Sequence, residues 1–281
     1  MSRLIGLHHG LYKGVADRID SLRKACANHN WTFVDVDSSI HQNADVWKLS
    51  DGDAVYNLAR GGEVFETRLL GQTALFFYRE RPLLVENNGD TTKYITPMEQ
   101  AGLSVPKTCF ISNLNVTQLQ EEVHNLGGFP IVVKVPGGTL GVGVLLIESF
   151  PSLMAFLELG LSQYDGLYLR SYIEPKEVAR LIVVGNEVVA ANQKLIPPND
   201  FRTSVQFHPP VPKEYNSDIN RLAIQASVCC NFANCGVDIL IDHQDKPYVL
   251  EVNMPHDFTT SEKATGVDIA GLMIKYLKTM K

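Results

Sequence analysis

Two strand-like runs near the C-terminus each place one acidic residue in an otherwise apolar stretch, and this feature limits the fold more than any other. The runs are residues 236–241 (GVDILI) and 248–253 (YVLEVN). A hairpin that pairs Ile241 with Tyr248 would place Asp238 directly opposite Glu251. The sequence therefore predicts two carboxylates that face each other within an antiparallel sheet.

Such a pair of carboxylates calls for a cation, because like charges directly opposite each other destabilise a pair of strands. Glu251 and Asn253 are two residues apart and so project from the same face of a strand. Two carboxylates and an amide oxygen favour Mg²⁺ or Mn²⁺, with positions left for phosphate oxygens and water. In the alternative register, Asp238 points to solvent and Asn253 caps a turn.

The rest of the chain alternates between strand and helix patterns, which predicts the α/β class. Strands are expected at 3–7, 32–36, 54–56, 131–135, 144–148, 167–173, 178–184 and 187–191, and helices at 16–29, 64–78, 217–231 and 267–279. Gly185-Asn186 is a plausible hairpin turn between two of these strands.

Composition excludes several classes of protein. The 281 residues carry a net charge of −6, which argues against nucleic acid held by a basic face. We find no apolar run long enough for a membrane helix and no signal-peptide pattern after Met1. The five cysteines are odd in number and lack CxxC spacing, so neither a disulfide framework nor a zinc ribbon is expected. A cytoplasmic protein without nucleic-acid or membrane partners is the expectation.

A glycine-rich run between two β-rich segments could approach an anion closely. Gly137, Gly138, Gly141 and Gly143 lack a Cβ, so their backbone N–H groups can turn toward a ligand. The run lacks the phosphate-loop pattern and the dinucleotide fingerprint, which leaves a mobile flap or a plain β-turn. Lys134 precedes the run within an apolar strand, where an inward lysine is costly without an anionic partner.

Taken in order, these motifs resemble the ATP-grasp ligases, and among them the RimK-like carboxylate–amine (glutamate) ligases. The resemblance runs from about residue 54 to the C-terminus. It rests on Lys93, Lys134, the glycine-rich run, Gly236-Val237-Asp238, Glu251-Val252-Asn253 and the segment 264–270. It implies an ATP-grasp fold with a small N-terminal α/β lobe (1–87), a central lid-bearing lobe (88–172) and a C-terminal antiparallel-sheet lobe (173–281).

The resemblance also implies which residues would bind nucleotide. Lys93 and Lys134 would contact phosphates, and the backbone of Tyr172 and Ile173 would read the adenine edge. The implied nucleotide set is Lys93, Lys134, Gly137, Gly138, Thr139, Gly141, Gly143, Arg170, Ser171, Tyr172, Ile173 and Glu177. Lys93 could instead lie on an exposed helix.

Other residues implied by the resemblance would act at the reacting centre. Arg180 and Lys194 would face it, and Arg202 would approach the transferred phosphate. Asp238, Glu251 and Asn253 would hold one or two Mg²⁺ ions (or Mn²⁺), and Arg60 would contact a substrate carboxylate. The alternatives are that Arg180 pairs with Glu177 or Glu187, that Lys194 is solvated, and that Arg60 has no role.

The chain departs from the glutamate-ligase pattern at four places. Arg170-Ser171 stands where the family usually has Gln-Glu, and Val178 replaces an aspartate, so that a ribose contact would either move to Glu177 or be lost. The other two departures are Ser204 with His208-Pro209-Pro210, and Pro255-His256-Asp257. The last two departures border the substrate side of the site. The resemblance therefore supports ATP as the nucleotide more strongly than glutamate as the substrate.

The resemblance implies an ADP-forming carboxylate–amine ligase that works through an acyl phosphate. Its partners would be small-molecule, amino-acid or peptide substrates, and the chain could form a homo-oligomer. Two alternatives stay open at this point: an ATP-grasp kinase that phosphorylates a hydroxyl group, and a nucleotide-binding regulatory protein without catalysis.

Overall fold

In the computed structural model, the N-terminal lobe is a parallel sheet flanked by helices. The structure describes residues 1–10, 13–40, 47–59, 61–85, 92–111, 115–135, 141–160, 167–197, 200–202 and 209–280. The lobe's elements are β1 (Arg3–His8), α1 (Lys13–Asn28), β2 (Thr32–Asp37), β3 (Ala54–Asn57), α2 (Glu63–Leu69) and β4 (Leu75–Phe76). The sheet order is β2-β1-β3-β4, and every pair in it is parallel.

One expectation for this lobe is wrong. The helix expected at 64–78 ends at Leu69, and Leu75 and Phe76 join the sheet beside β3. The guanidinium of Arg81 accounts for the ending, because it donates to the carbonyl of Leu70 at 2.8 Å and also to those of Gln72 and Ala74. Carbonyls at a helix end that lack helical partners need such donors.

The central lobe is an antiparallel sheet with its own helices. α3 (Thr92–Gln100) precedes this sheet and packs Met98 into the hydrophobic core of the other two lobes. The central lobe's own elements are β5 (Thr108–Phe110), α4 (Val116–Asn125), β6 (Ile131–Lys134), β7 (Val144–Ile147), α5 (Phe150–Gly160) and β8 (Tyr168–Ser171). The strand order is β5-β8-β6-β7. A small core that includes Val133, Leu153 and Leu169 fills the lobe.

The C-terminal lobe is a five-stranded antiparallel sheet in the order β11-β10-β9-β12-β13. Its elements are β9 (Pro175–Val184), β10 (Glu187–Lys194), β11 (Val211–Pro212), α6 (Ser217–Cys229), β12 (Asn234–Asp242), β13 (Pro247–Asn253), α7 (Thr259–Thr265) and α8 (Ile269–Thr279). The expected hairpin through Gly185-Asn186 is confirmed, and so are the expected helices near 217 and 267.

The two outer lobes share one hydrophobic core. It contains Leu7 and Val36 from the N-terminal sheet together with Ile182, Val237 and Leu277 from the C-terminal lobe. The central lobe is thus the part of the molecule with a separate core, and it faces the C-terminal sheet across a cleft. Within the described ranges, no helix is long and apolar enough to cross a membrane.

Candidate functional site

A cleft of about 880 Å³, counted to its open mouth, lies between the central and C-terminal sheets. Residues from both sheets and from two loops line it, and most of them are residues that the sequence singled out. The predicted residues among its lining are Lys134, Gly141, Arg170, Ser171, Tyr172, Ile173, Lys194, Arg202, Asp238 and Glu251.

The C-terminal face of the cleft changes from charged to apolar in one direction. On three adjacent strands (β9, β12 and β13), a charged side chain is followed by an apolar one that lines the cleft, and the register aligns these changes. The pairs are Arg180 then Val178, Asp238 then Leu240, and Glu251 then Leu250. The cleft therefore has a charged end and an apolar end.

The pairing of Asp238 with Glu251 is confirmed, but the register that predicted it is not. Ile241 pairs with Pro247 and not with Tyr248. The register then shifts between Asp238 and Ile239, so that Leu250 is an extra residue on β13. This β-bulge restores the opposition of the two carboxylates.

Two cations hold the carboxylate of Asp238. Arg180 Nη1 donates to Asp238 Oδ1 at 3.0 Å, and Lys194 Nζ donates to Oδ2 at 2.7 Å. Burial alone would raise the pKa of Asp238, but the two cations outweigh it and hold that pKa well below its usual range. The alternatives for Arg180 and Lys194 are thereby excluded: Arg180 pairs with neither Glu177 nor Glu187, and the side chain of Lys194 is only 11% exposed.

Gly236 makes room for Arg180. A Cβ at this position would lie 2.3 Å from the guanidinium carbon of Arg180. Gly236 and Asp238 are two residues apart on β12, so they share a face of the strand. The first position of the Gly236-Val237-Asp238 motif is therefore a glycine because any side chain there would collide with Arg180.

Glu251 and Asn253 lie on the same strand beside Asp238. Asn253 Nδ2 donates to Glu251 Oε1 at 2.9 Å, and Glu251 is close enough to Asp238 to lower its pKa. Over the described part of the chain, no cluster of three or more His, Cys, Asp or Glu residues could hold a metal ion. The candidate metal ligands are the carboxylates of Asp238 and Glu251 and the amide oxygen of Asn253, and these hard oxygens fit Mg²⁺ or Mn²⁺.

Lys134 projects into the cleft from β6. Burial lowers its pKa to about 8, and the nearby Arg170 acts in the same direction, whereas Glu251 and Asp238 oppose both. An anionic partner would raise that pKa again and so stabilise the charged form of the lysine.

Arg170 crosses from the central sheet to the C-terminal sheet. Its side chain is buried; Nε donates to Thr108 Oγ1 at 3.2 Å, and Nη1 donates to the carbonyl of Leu250 at 2.9 Å. Burial lowers the pKa of this guanidinium. The bulge on β13 thus supplies the carbonyl that Arg170 binds.

Arg202 lies at the charged end of the cleft. Its Nη2 donates to Asp200 Oδ2 at 2.7 Å, and Nη1 reaches the carbonyl of Gly141 at 3.4 Å. Arg202 therefore connects the loop after β10 with the end of the glycine-rich run. Gly137, Gly138, Thr139 and Arg60 lie outside the described residues.

The structure does not bring Glu177 into the cleft. Glu177 and Arg180 are three residues apart in a continuous register of β9, so their side chains lie on opposite faces. The Glu177 carboxylate accepts instead from Lys213 Nζ at 2.5 Å and from the Tyr215 hydroxyl. Lys93 also lies outside the cleft lining, with its ammonium 5.1 Å from the ring centre of Tyr94.

Sequence reasoning missed the apolar walls of the cleft. They are Pro106, Val132, Val144, Pro175, Val178, Phe201, Leu240 and Leu250. The signal that could have found several of them is alternation, since Val132 shares a face with Lys134 and Leu240 with Asp238. Leu250 could not be found in this way, because the bulge breaks the alternation.

Comparison with known proteins identifies relatives of this architecture. The model of the RimK-like ATP-grasp domain matches residues 89–277. A relative named probable alpha-L-glutamate ligase, from Vibrio atlanticus (strain LGP32), is 28% identical over 197 residues, or 69% of this chain. The chain spans 64% of that relative's length.

Solved structures share the fold. The ATP-grasp ligase PsnB complexed with minimal precursor superposes with a TM-score of 0.76 at 13% identity, over 100% of this chain and 99% of PsnB. A PsnB structure with minimal precursor, Mg and ADP gives 0.71 at 13% identity, over 98% of this chain and 96% of PsnB. The D-alanine–D-alanine ligase from Bacillus anthracis gives 0.72 at 16% identity, with 99% and 97% covered. These similarities show the ATP-grasp fold.

Proposed function

Because the chain belongs to the RimK-like ATP-grasp family, we propose that it is an ATP-dependent carboxylate–amine ligase that releases ADP and phosphate. The observation that carries the proposal is the Asp238–Glu251 pair, which lines the cleft together with Lys134, Lys194 and Arg202. The relative named as a glutamate ligase supports the same reaction class.

The nucleotide would lie along the cleft with its base at the apolar end. Pro106, Val132, Leu240 and Leu250 offer flat apolar contact for a ring. The triphosphate would then extend to the charged end, where Lys134 and Arg202 supply positive charge. Lys93 and the residues of the glycine-rich run that lie outside the described ranges keep the phosphate contacts that the family pattern proposes for them. Glu177 is left out of the proposed nucleotide-binding residues, because its side chain does not line the cleft.

Asp238, Glu251 and Asn253 would hold one or two Mg²⁺ ions. Their oxygens fit this cation, and a partial protein shell leaves positions for phosphate oxygens. When bound, the metal ion supplies charge neutralisation on the phosphates. Arg180 and Lys194 act as positioning residues here, because their hydrogen bonds fix the carboxylate of Asp238.

The reaction would proceed in two displacements. A substrate carboxylate oxygen attacks the γ-phosphorus in line, the bond to the β-phosphate oxygen breaks, and ADP leaves. An amine then attacks the acyl carbon, the C–O bond to phosphate breaks, and the nitrogen loses a proton. Lys93, Lys134 and Arg202 offset the charge on the transferred group, and no side-chain nucleophile is required.

The substrates would be small carboxylates, amino acids or peptides. PsnB, complexed with a minimal precursor, and the D-alanine–D-alanine ligase are both named as ligases and share this fold. Arg60 keeps its proposed contact with a substrate carboxylate. The lobe boundaries proposed for this function are 1–87, 88–172 and 173–281. The five unpaired cysteines support a reducing, cytoplasmic location.

The proposal is tested by ATP turnover with panels of carboxylates and amines and by mass spectrometry of the products. We expect an amide, ADP and phosphate in equal amounts. Asp238→Asn and Glu251→Gln should each lower turnover by about a hundredfold or more. Glu251→Gln should leave the melting temperature near that of the wild type, whereas Asp238→Asn should lower it, because the buried ion pairs with Arg180 and Lys194 lose their carboxylate charge. Full activity in both variants would overturn the metal assignment.

The products also separate the alternatives. Amide formation with release of AMP would contradict the acyl-phosphate route. A stable phosphorylated product formed without any amine would identify a kinase. Tight nucleotide binding without turnover across the panel would identify a regulatory protein.

A further inference from the structure

Lys194 reaches the carboxylate of Asp238 from two strands away. It is the last residue of β10 and pairs with Val178 on β9, whereas Asp238 lies on β12, the strand beyond β9. Its Nζ nevertheless donates to Asp238 Oδ2 at 2.7 Å, so the lysine side chain crosses β9 along the floor of the cleft. Neighbouring strands lie about 4.7–4.9 Å apart, so the side chain must be extended to reach this carboxylate.

The two cations that bind Asp238 differ in how firmly they are held. Arg180 lies in the middle of β9, and the missing Cβ of Gly236 provides the space for its planar guanidinium. Lys194 lies at the end of its strand, and the bond to Asp238 is the one hydrogen bond of its ammonium within the described ranges. A lysine carries a compact charge on a flexible four-carbon chain. Lys194 is therefore the cation that can leave Asp238 without displacing a strand.

The ammonium of Lys194 lies where it opposes a second cation on Asp238. Mg²⁺ binds carboxylate oxygens at about 2.0–2.1 Å, and the lysine nitrogen is 2.7 Å from Asp238 Oδ2. A metal ion on that oxygen would thus lie within about 5 Å of a positive charge, and like charges at this distance repel strongly at a buried site. Arg180 already binds Oδ1. The position of Lys194 therefore controls how well Asp238 can accept a metal ion.

Phosphate groups would offer Lys194 another partner in the same cleft. Lys194 lines the cleft together with Lys134 and Arg202, the two residues that we place at the phosphates. Phosphate oxygens accept charge-assisted hydrogen bonds from an ammonium as carboxylate oxygens do. A small turn of the extended side chain would therefore exchange Asp238 for a phosphate oxygen at little cost in hydrogen bonding.

We propose that Lys194 neutralises Asp238 in the free protein and transfers its ammonium to the phosphates of an incoming nucleotide, which opens this carboxylate to Mg²⁺. The inference rests on the proposed nucleotide and metal roles of the cleft and adds the order in which the two ligands bind. Lys194 acts as a positioning residue, and Asp238 is never left as an unpaired buried charge.

The test is a pair of binding measurements on the full chain. Mn²⁺, which stands in for Mg²⁺, is titrated without nucleotide and followed by the electron paramagnetic resonance of the free ion; ADP is titrated by calorimetry with a chelator of divalent cations present. In Lys194→Met, Mn²⁺ should bind about tenfold more tightly than in the wild type, because a competing cation is gone. ADP should bind about threefold or more weakly, because a phosphate partner is lost. A purely structural role would weaken both.

Two further variants separate direct competition from the general charge of the cleft. Lys194→Arg keeps a cation within reach of Asp238 and should leave Mn²⁺ binding as weak as in the wild type. Lys134→Met is the matched control, because it removes a cleft cation that has no hydrogen bond to Asp238 among the described contacts. It should raise the Mn²⁺ affinity by less than about threefold. Equal gains in Lys134→Met and Lys194→Met would overturn the inference.

Lys194→Gln also removes the charge and keeps the inference testable if Lys194→Met does not fold. Mn²⁺ binding no tighter in these neutral variants than in the wild type would overturn the inference, and the proposed function would stand as long as the wild type binds ADP with Mg²⁺. Failure of the wild type to bind ADP with Mg²⁺ would overturn the proposed function as well.

Discussion

At the residue scale, the charged end of the cleft consists of groups that change one another's ionisation. Asp238 stays ionised because Arg180 and Lys194 outweigh its burial. Lys134 has no hydrogen bond of this kind among the described contacts, so burial dominates and lowers its pKa to about 8. The same cleft thus contains a carboxylate that stays ionised and a lysine that loses its proton as the pH rises through about 8.

Lys134 predicts a pH dependence of nucleotide binding. Since its pKa is about 8 in the free protein, the lysine loses its proton as the pH rises through that value. We expect ADP to bind about tenfold more weakly at about pH 9 than at about pH 7, with proton uptake on binding. Calorimetry in buffers of different ionisation enthalpy measures both quantities.

Lys134→Met supplies the control, because it should bind ADP weakly at both pH values and without proton uptake. A wild-type affinity that does not change with pH would contradict the assignment. In the absence of ligand, the unfolded chain holds more protons on this lysine between about pH 8 and its usual pKa of 10.5, so the free energy of unfolding should rise with pH over this interval.

At the element scale, the C-terminal sheet aligns the site through two local irregularities. The bulge at Leu250 restores the pairing of Asp238 with Glu251 and frees a carbonyl for Arg170. The missing Cβ at Gly236 lets the side chain of Arg180 lie flat across β12 and reach Asp238. Without the bulge, Glu251 would not lie opposite Asp238, and with a side chain at position 236, Arg180 could not occupy its present position.

Gly236→Ala tests the steric part of this arrangement. A Cβ placed 2.3 Å from the Arg180 guanidinium must displace it, so the Arg180–Asp238 hydrogen bond should be lost. We expect a loss of about 1–3 kcal/mol in the free energy of unfolding and a fall in turnover of about tenfold or more. Denaturant unfolding and steady-state kinetics measure the two effects.

Gly71→Ala is the matched control, because a Cβ there meets nothing within 4 Å and the backbone is not left-handed. It should leave both stability and turnover unchanged. Wild-type stability and kinetics in Gly236→Ala would show that the glycine is not needed for the position of Arg180.

At the scale of the whole molecule, the outer lobes are tied together by more than apolar contact. Arg79 donates to the Phe232 carbonyl at 3.0 Å, to that of Gly185 at 2.7 Å and to Ser227 Oγ at 2.7 Å. Ser21 Oγ donates to Glu262 Oε2 at 2.7 Å from the other side of the interface. The N-terminal lobe is therefore part of the scaffold that supports β9 and β12.

Removal of the N-terminal lobe should consequently unfold the scaffold. A chain of residues 88–281 would expose the half of the shared core formed by strands such as β9 and β12. We expect it to lack a cooperative thermal transition by circular dichroism, with the full chain measured alongside. A transition as sharp as that of the full chain would show that the C-terminal lobe folds by itself.

Much of the site could be predicted because its signals are local. An acidic residue in an apolar strand, a lysine in an apolar strand and glycines in a row each show in a few consecutive residues. These signals led to Lys134, Asp238 and Glu251, and the family resemblance led to Arg202; all four line the cleft. The predicted ligand contact of Glu177 is not supported, because the alternation of side chains along β9 places Glu177 and Arg180 on opposite faces of the strand.

The sequence by itself determined the family, the charged residues of the cleft and most of the order of the elements, because periodicity and side-chain chemistry are properties of neighbouring residues. Only the tertiary structure decided the bulge at Leu250, the apolar wall opposite Val132 and the reach of Lys194 across β9 to Asp238. Each of these depends on contacts between strands far apart in the chain, and no pattern of consecutive residues contains that information.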